Sequence, residues 1–189
     1  RRYFSDDLLR DFPAVPIPVT KELFFALRTL GAYCGEVQLL ESSGLVNYLT
    51  TLVGSGDLQV EKVAYSDQTV WVDKAKTRGF KGVPEEVWNF QIGGYQVCEK
   101  WLKDRGPKKG NPGRVLTDED IEHYQKIVSA ISETIRIMTE IDEVIEAHGG
   151  WPGAFRTGDA GDKPVSDVVY TEVDEGVTQL DMVAEPKDG

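Results

Sequence analysis

From Ile121 onward, apolar side chains return every three or four residues: Ile121, Tyr124, Val128, Ile131, Ile135, Met138 and Ile145. Only an α-helix gathers residues at that spacing onto one face. Thr117 is an N-cap by type, and Asp118, Glu119 and Asp120 put negative charge where a helix start is partially positive. Gly149-Gly150-Trp151-Pro152 then stops the run. The spacing predicts one helix of about 30 residues, about 45 Å long, in a chain of 189 residues. A rod of that length with an apolar stripe has to be covered. One cover is a coiled-coil partner; the cover favoured here is a second helix and a sheet of its own protein.

The upstream sequence supplies both. Residues 1–12 read as a short helical lead-in ended by Pro13, and Pro13, Pro16 and Pro18 hold the next stretch extended. Thr20 caps a second helix that runs to about Ser42, where Ser43-Gly44 breaks it. Residues 45–53 are apolar and fit either a strand or a short helix. After the turn Gly54-Ser55-Gly56-Asp57, two strands are expected, Leu58–Tyr65 and Thr69–Asp73, around Ser66-Asp67-Gln68. Lys74 to Gly82 reads as a basic connection. Pro84–Val87 reads as a helical turn leading into a strand-like run, Trp88–Ile92. Gly93-Gly94 turns the chain into a short helix from Tyr95 to Arg105, and a flexible Gly/Pro/Lys loop spans 106–114. The expected fold class is α+β, long helices packed with a small, mainly antiparallel sheet. The expected division is a domain over residues 1–152 and an acidic, flexible tail over 153–189, with one further strand possible at Val165–Val173.

Charge is spread unevenly. The net charge is −11, which opposes unaided binding to DNA, because neutralising phosphates dominates that affinity. Residues 153–189 hold nine acids and three bases, and residues 117–146 hold nine acids against Lys126 and Arg136. The base lies elsewhere. Lys74, Lys76, Arg78 and Lys81 form a run with no acid among them, and Lys100, Lys103, Arg105, Lys108, Lys109 and Arg114 share residues 100–114 with Asp104 alone. On the Tyr95–Arg105 helix, Lys100 and Lys103 fall on one side and Tyr95, Cys98 and Leu102 on the other, with Trp101 between. Tyr95 and Trp101 are expected at the core or its rim, and Trp71 and Trp88 within it. The two cysteines, Cys34 and Cys98, each sit in an apolar helical series and read as buried, reduced thiols.

Catalytic signatures are missing from this pattern. The chain has no Gly-x-Ser-x-Gly, no P-loop and no Gly-x-Gly-x-x-Gly. Its two histidines, His123 and His148, belong to no cluster with metal-ligand spacing. The acids Asp118, Asp120 and Glu122 are explained by helix capping. No catalytic residue, metal site or cofactor is therefore expected in this chain. No apolar run is long enough for a membrane span and no signal peptide heads the sequence, so a cytoplasmic location is expected. The chain opens Arg1-Arg2-Tyr3, without methionine, which fits a fragment.

The string Ile92-Gly93-Gly94-Tyr95-Gln96-Val97-Cys98-Glu99-Lys100-Trp101-Leu102-Lys103-Asp104-Arg105 resembles the C-terminal specificity, or target-recognition, region of type ISP restriction-modification enzymes. Related strings occur in other large single-chain restriction enzymes that carry an adenine-N6 DNA methyltransferase. The resemblance extends to Phe12–Pro18, to Glu22-Leu23-Phe24 and Leu27–Leu30, to Leu39–Ser42, and to Leu116–Ile121 with His123–Val128, so it covers roughly residues 4–155. Two departures stand out. Gly106–Gly113 lengthens a short loop, and the tail after Phe155 matches nothing in the family. Asn111-Pro112-Gly113 is not the Asn/Asp-Pro-Pro-Tyr/Phe motif with which adenine methyltransferases hold a flipped base.

The resemblance implies recognition of a short asymmetric site in double-stranded DNA. It also implies a partner methyltransferase domain or subunit that uses S-adenosylmethionine on the flipped adenine, within an enzyme that translocates and cleaves DNA. On this reading the hairpin 58–73 and residues 74–105 make the contacts. The helix start at Gly93, Gly94 and Tyr95, with the lysines, holds phosphates. The hairpin, or Arg78 and Arg105, reaches base edges. Lys74, Lys76, Lys81, Lys100, Lys103, Lys108, Lys109 and Arg114 complete the positive surface. The alternative is a non-enzymatic protein-interaction module that docks through the acidic long helix.

Overall fold

The computed structural model describes residues 16–156. The lead-in expected over 1–12 and the strand expected at Val165–Val173 lie outside them, as does the tail beyond Arg156. The long helix, α4, runs from Asp118 to Ala147. Its start is a reciprocal capping box: Asp120 N–H donates to Thr117 Oγ1 at 3.2 Å, and Thr117 N–H donates to Asp120 Oδ2 at 3.1 Å. Thr20 caps the first helix, α1 (Lys21–Gln38), by accepting from Leu23 N–H. That helix ends four residues short of the expected Ser42: Leu39 is its C-cap, and Leu40 turns left-handed at φ 61°.

Helix α1 packs along α4, so the apolar stripe is covered from within the protein, as expected. Val37, Leu45, Ala130 and Ile137 form the seam, and Tyr33 OH donates to Glu133 Oε1 at 3.0 Å across it. Lower down, Leu23 packs with Ala154 and Phe155. There Val19 N–H donates to Ala154 O and Arg156 N–H to Ile17 O, so the chain just after α4 is tied back to the extended segment before α1.

The ambiguous stretch 45–53 resolves into both options. A 3-10 turn over Ser43–Val46 comes first, then a strand, β1 (Thr51–Val53). The sheet continues with β2 (Ala64–Ser66), β3 (Thr69–Trp71) and β4 (Gly79–Lys81), in the order β1-β4-β3-β2 and antiparallel throughout. Asp67 and Gln68 make the β2–β3 turn, both at φ 53°, the left-handed pair that matches strand twist. The expected strand 58–65 enters the ladder only at its end, and its first half bridges instead to Val115 through Gln59.

The basic connection 74–82 needs correcting, because it contains β4, an inner strand of the sheet. Charge obscured it: Lys81 faces solvent while Phe80 beside it is buried. Gly79 is required there, since a Cβ would lie 2.2 Å from the Val70 carbonyl oxygen. Phe80, Val70 and Val72 pack on α4 through Tyr124 and Val128, with Leu102 and Trp88 in the same core. Ser129 Oγ accepts from Leu49 N–H and Gln125 Nε2 donates to Thr50 O, which ties the approach to β1 onto α4.

Two further corrections lie between residues 85 and 105. Trp88 closes a helical turn, α2 (Glu85–Trp88), instead of opening a strand. Tyr95 does not begin a helix. Gln91–Ile92 (β5) and Tyr95–Gln96 (β6) form a two-stranded hairpin with Gly93 and Gly94, at φ 59° and 85°, as its turn. The helix α3 starts two residues later, Val97–Lys103. Sequence places Cys98 correctly in the core but not Cys34, which is half-buried. Burial pushes the Cys98 thiol up to about 12.

Candidate nucleic-acid interface

The two basic runs are separated in sequence but meet on one segment, residues 57–62. On one side, Glu61 N–H and Lys62 N–H both donate to Val72 O, at the end of β3. On the other, Val60 N–H donates to Arg114 O, Leu116 N–H donates to Leu58 O, and Gln59 Nε2 donates to Gly113 O at 2.9 Å. Gly113 lies so close that a Cβ there would sit 1.6 Å from the Val60 carbonyl oxygen. Segment 57–62 is thus a spine with the 73–78 loop on one flank and the 106–114 loop on the other. The second loop, expected to be loose, is closed by a two-way bond between Lys108 and Asn111 and by Arg114 N–H donating to Arg105 O.

The predicted cations divide into two groups. Lys74, Lys76, Lys81, Lys108 and Lys109 are exposed, and none forms an ion pair among the described residues. The remaining predicted cations are engaged. Lys100 bonds Asp104 and Lys103 bonds Glu99, each one turn along α3. Arg114 meets Asp120 Oδ2 at 2.6 Å, and Arg105 lies 3.5 Å from Asp120 Oδ1. Arg105 also stacks over the Trp101 ring at 3.5 Å. Burial alone would raise Asp120, but hydrogen bonds from Thr117 and the Arg114 and Arg105 charges hold its carboxyl below the ordinary range. Together with Lys108, Asn111 and Pro112, Arg105 and Arg114 line an open cleft of about 420 Å³.

Arg78 is the most committed cation. Its Nη1 donates to Asp57 O, its Nη2 lies 3.5 Å from Glu61 Oε1, and its Nε lies 3.9 Å from Asp73 Oδ2. Asp73, only 3% exposed, accepts from Thr77 N–H at 3.0 Å, Thr77 Oγ1 at 2.7 Å and Arg78 N–H at 3.0 Å. Burial pushes this carboxyl up, but Thr77, the two backbone amides and the Arg78 charge outweigh it and hold Asp73 below its usual value.

Gly93, Gly94 and Tyr95 do not form the anion-binding helix start expected of them, because they are a hairpin tip. Nothing lies within 4 Å of a Cβ built at either glycine, so both are there for their positive φ. Ile92 and Tyr95, expected apolar or core-rim positions, face each other across the tip at 62% and 63% exposure. Trp101, by contrast, is half-buried against Tyr124 and His123. Sequence reasoning passed over Lys62, which is exposed and forms no ion pair among the described residues. Alternation gives no signal for it, because in an extended segment Lys62 shares the face of the buried Val60; the bonds of Glu61 N–H and Lys62 N–H to Val72 O place it between the two basic loops.

Two solved structures share this fold. One is a nuclease-deletion mutant of the Type ISP restriction-modification enzyme LlaGI in complex with a DNA substrate mimic, at 16% identity and a TM-score of 0.50, over 76% of this chain and 12% of that one. The other is the ATP-dependent Type ISP restriction-modification enzyme LlaBIII bound to DNA, at 17% identity and a TM-score of 0.52, over 76% of this chain and 10% of that one. The chain thus spans about a tenth of the length of these enzymes. No curated relative matches it. A family model described as the Type ISP C-terminal specificity domain matches residues 1–140. With most of its length matched, the chain belongs to the Type ISP C-terminal specificity domain family.

Proposed function

We propose that this domain selects the DNA sequence on which a longer restriction-modification enzyme acts, and that it does so by binding rather than by catalysis. The supporting observation is the spine 57–62, which carries Lys62 and joins the loops of Lys74, Lys76, Lys108 and Lys109, all of them exposed and without an ion pair among the described residues. Exposed, unpaired lysines are suited to replacing counterions on phosphates. They do so despite a net charge of −11, because the acid is concentrated on α4 and beyond Gly153. Lys81 extends the surface along β4. Lys100 and Lys103 are exposed but must leave Asp104 and Glu99 to contribute. Arg78, Arg105 and Arg114 serve the surface by shaping its loops. The two solved relatives are bound to DNA or a DNA mimic, which supports duplex DNA as the partner.

The remaining steps belong to other parts of such an enzyme. A methyltransferase domain would hold S-adenosylmethionine and take the flipped adenine. The open cleft here is lined by Asp104, Arg105, Lys108 and Arg114 with Gly106, Asn111 and Pro112, a set dominated by charged residues. No described helix is long and apolar enough to cross a membrane; a cytoplasmic location, alongside cellular DNA, is part of the proposal.

The test is binding of the chain to a random-sequence duplex pool at about 50 and about 200 mM salt. Affinity that falls steeply with salt, with enrichment of one short motif, is the expected result. Absence of duplex binding at the lower salt, with salt-insensitive capture of a protein partner, would overturn the proposal.

A further inference from the structure

Resting on that reading, we infer that Gly54–Asp57 and Lys74–Thr77 form a single base-reading element, and that Asp73 and Arg78 set its shape without touching DNA. The two loops are 20 residues apart in sequence, yet they are built as one body. Arg78 reaches from the second loop to the Asp57 carbonyl oxygen and Glu61 of the first segment. Gly54, at φ 92°, lies so close to the second loop that a Cβ would fall 2.3 Å from Thr77 O and 2.7 Å from Arg78 Cγ. Beneath them, Asp73 holds Thr77 by its amide and hydroxyl and Arg78 by its amide. Lys76 is fixed in the left-handed region at φ 56°, a conformation rarely adopted by a lysine and sustained here by the bonds around it. Its amide donates back to Asp73 O.

What this frame presents is polar: Ser55, Lys74, Lys76 and Thr77 are all exposed, and Lys74 and Lys76 form no ion pair among the described residues. Reading base edges demands a fixed backbone, because discrimination depends on a few donors meeting fixed acceptors, and side chains ordered only on binding give up affinity. Lysines on a locked loop suit guanine O6 and N7. Lys108 and Lys109 lie on the neighbouring loop, which is closed by backbone bonds between Lys108 and Asn111 and not by a buried carboxylate; they suit phosphates, which fix position and carry no sequence.

The experiment repeats the random-duplex selection with variants of the 189-residue chain. Lys74→Ala and Lys76→Ala are expected to lose preference at one or two adjacent base pairs by about tenfold or more, whereas Lys108→Ala should weaken all sequences alike. Thr77→Val, which deletes only the hydroxyl bonded to Asp73, should blur the same base pairs while affinity for random duplex stays within about twofold, and Thr77→Ser should restore them. An enriched motif unchanged by Lys74→Ala, Lys76→Ala and Thr77→Val, with any loss equal on all sequences, would reduce the loop to a phosphate contact and overturn the inference while leaving DNA recognition standing. Failure of the unsubstituted chain to bind any duplex would bring down both.

Discussion

The β3–β4 loop and the β5–β6 hairpin with α3 look alike in sequence. Each contains a basic run that follows a strand-like apolar stretch of sequence. In the folded protein they are opposites. The β3–β4 loop has a buried carboxylate at its base, which consumes Arg78 and the loop amides and leaves Lys74 and Lys76 unpaired. In α3 the acids lie one turn from the lysines, so Lys100 and Lys103 are paired on the helix surface and Arg105 is spent on Trp101 and Asp120. A count of basic residues therefore overstates how much charge a surface can offer to a ligand. What counts is where each cation's nearest acid lies.

Asp73→Ala should break this contrast most visibly. It strands Thr77 N–H and Arg78 N–H, both partly buried, and should cost about 1–3 kcal/mol, read by urea unfolding at pH 7. Asp104→Ala on α3 breaks only an exposed pair, and its unfolding midpoint should match that of the unsubstituted protein. Equal losses in the two variants would mean the buried lock is not what distinguishes the loops.

Acid sharpens the same point. The folded-state pKa values of Asp73 and Asp120 are both depressed, so the stability they contribute is present above the ordinary carboxylate value of about 4 and is lost as pH falls through their lower folded values. Stability should therefore decline below about pH 4, and Asp73→Asn should flatten that decline. A pH dependence identical in both proteins would show that Asp73 is not held ionised by the loop.

For binding, replacing Lys108 and Lys109 by Gln together should lower the salt dependence of duplex affinity by a slope of about 2, at about 0.9 per phosphate contact. The Lys100→Gln, Lys103→Gln pair should change the slope by less than one. The smallest effect on stability is expected at the hairpin tip. Tyr95→Ala removes an exposed ring and should shift stability by less than about 0.5 kcal/mol. A larger loss would mean that the tip packs on something beyond the described residues.

Legibility in the sequence followed the reach of the interactions. The 3–4 stripe of α4, the Thr117 cap and the Thr20 cap involve residues within a turn or two of each other, and all are readable. The strand at Gly79–Lys81 was hidden, since only cross-strand pairing to β1 and β3 makes three residues with a glycine and a lysine into a strand. Gly93-Gly94 was misread for a related reason. A turn before a helix and a turn between two short strands use the same residues, and the pairing of Ile92 with Tyr95 decided between them.

The candidate site divides in the same way. Composition alone located the two basic runs, and the family string located the domain among type ISP enzymes. The sequence determined which residues carry charge, where the helices begin and which faces are apolar, because those depend on side-chain chemistry and on neighbours along the chain. Only the tertiary structure decided that residues 57–62 join the two basic loops, that Arg78 is an internal staple, and that Lys62 belongs to the surface. Those outcomes rest on contacts such as Arg78–Glu61 and Val60–Arg114. Such contacts exist only when burial of the apolar core has brought distant segments within hydrogen-bonding range.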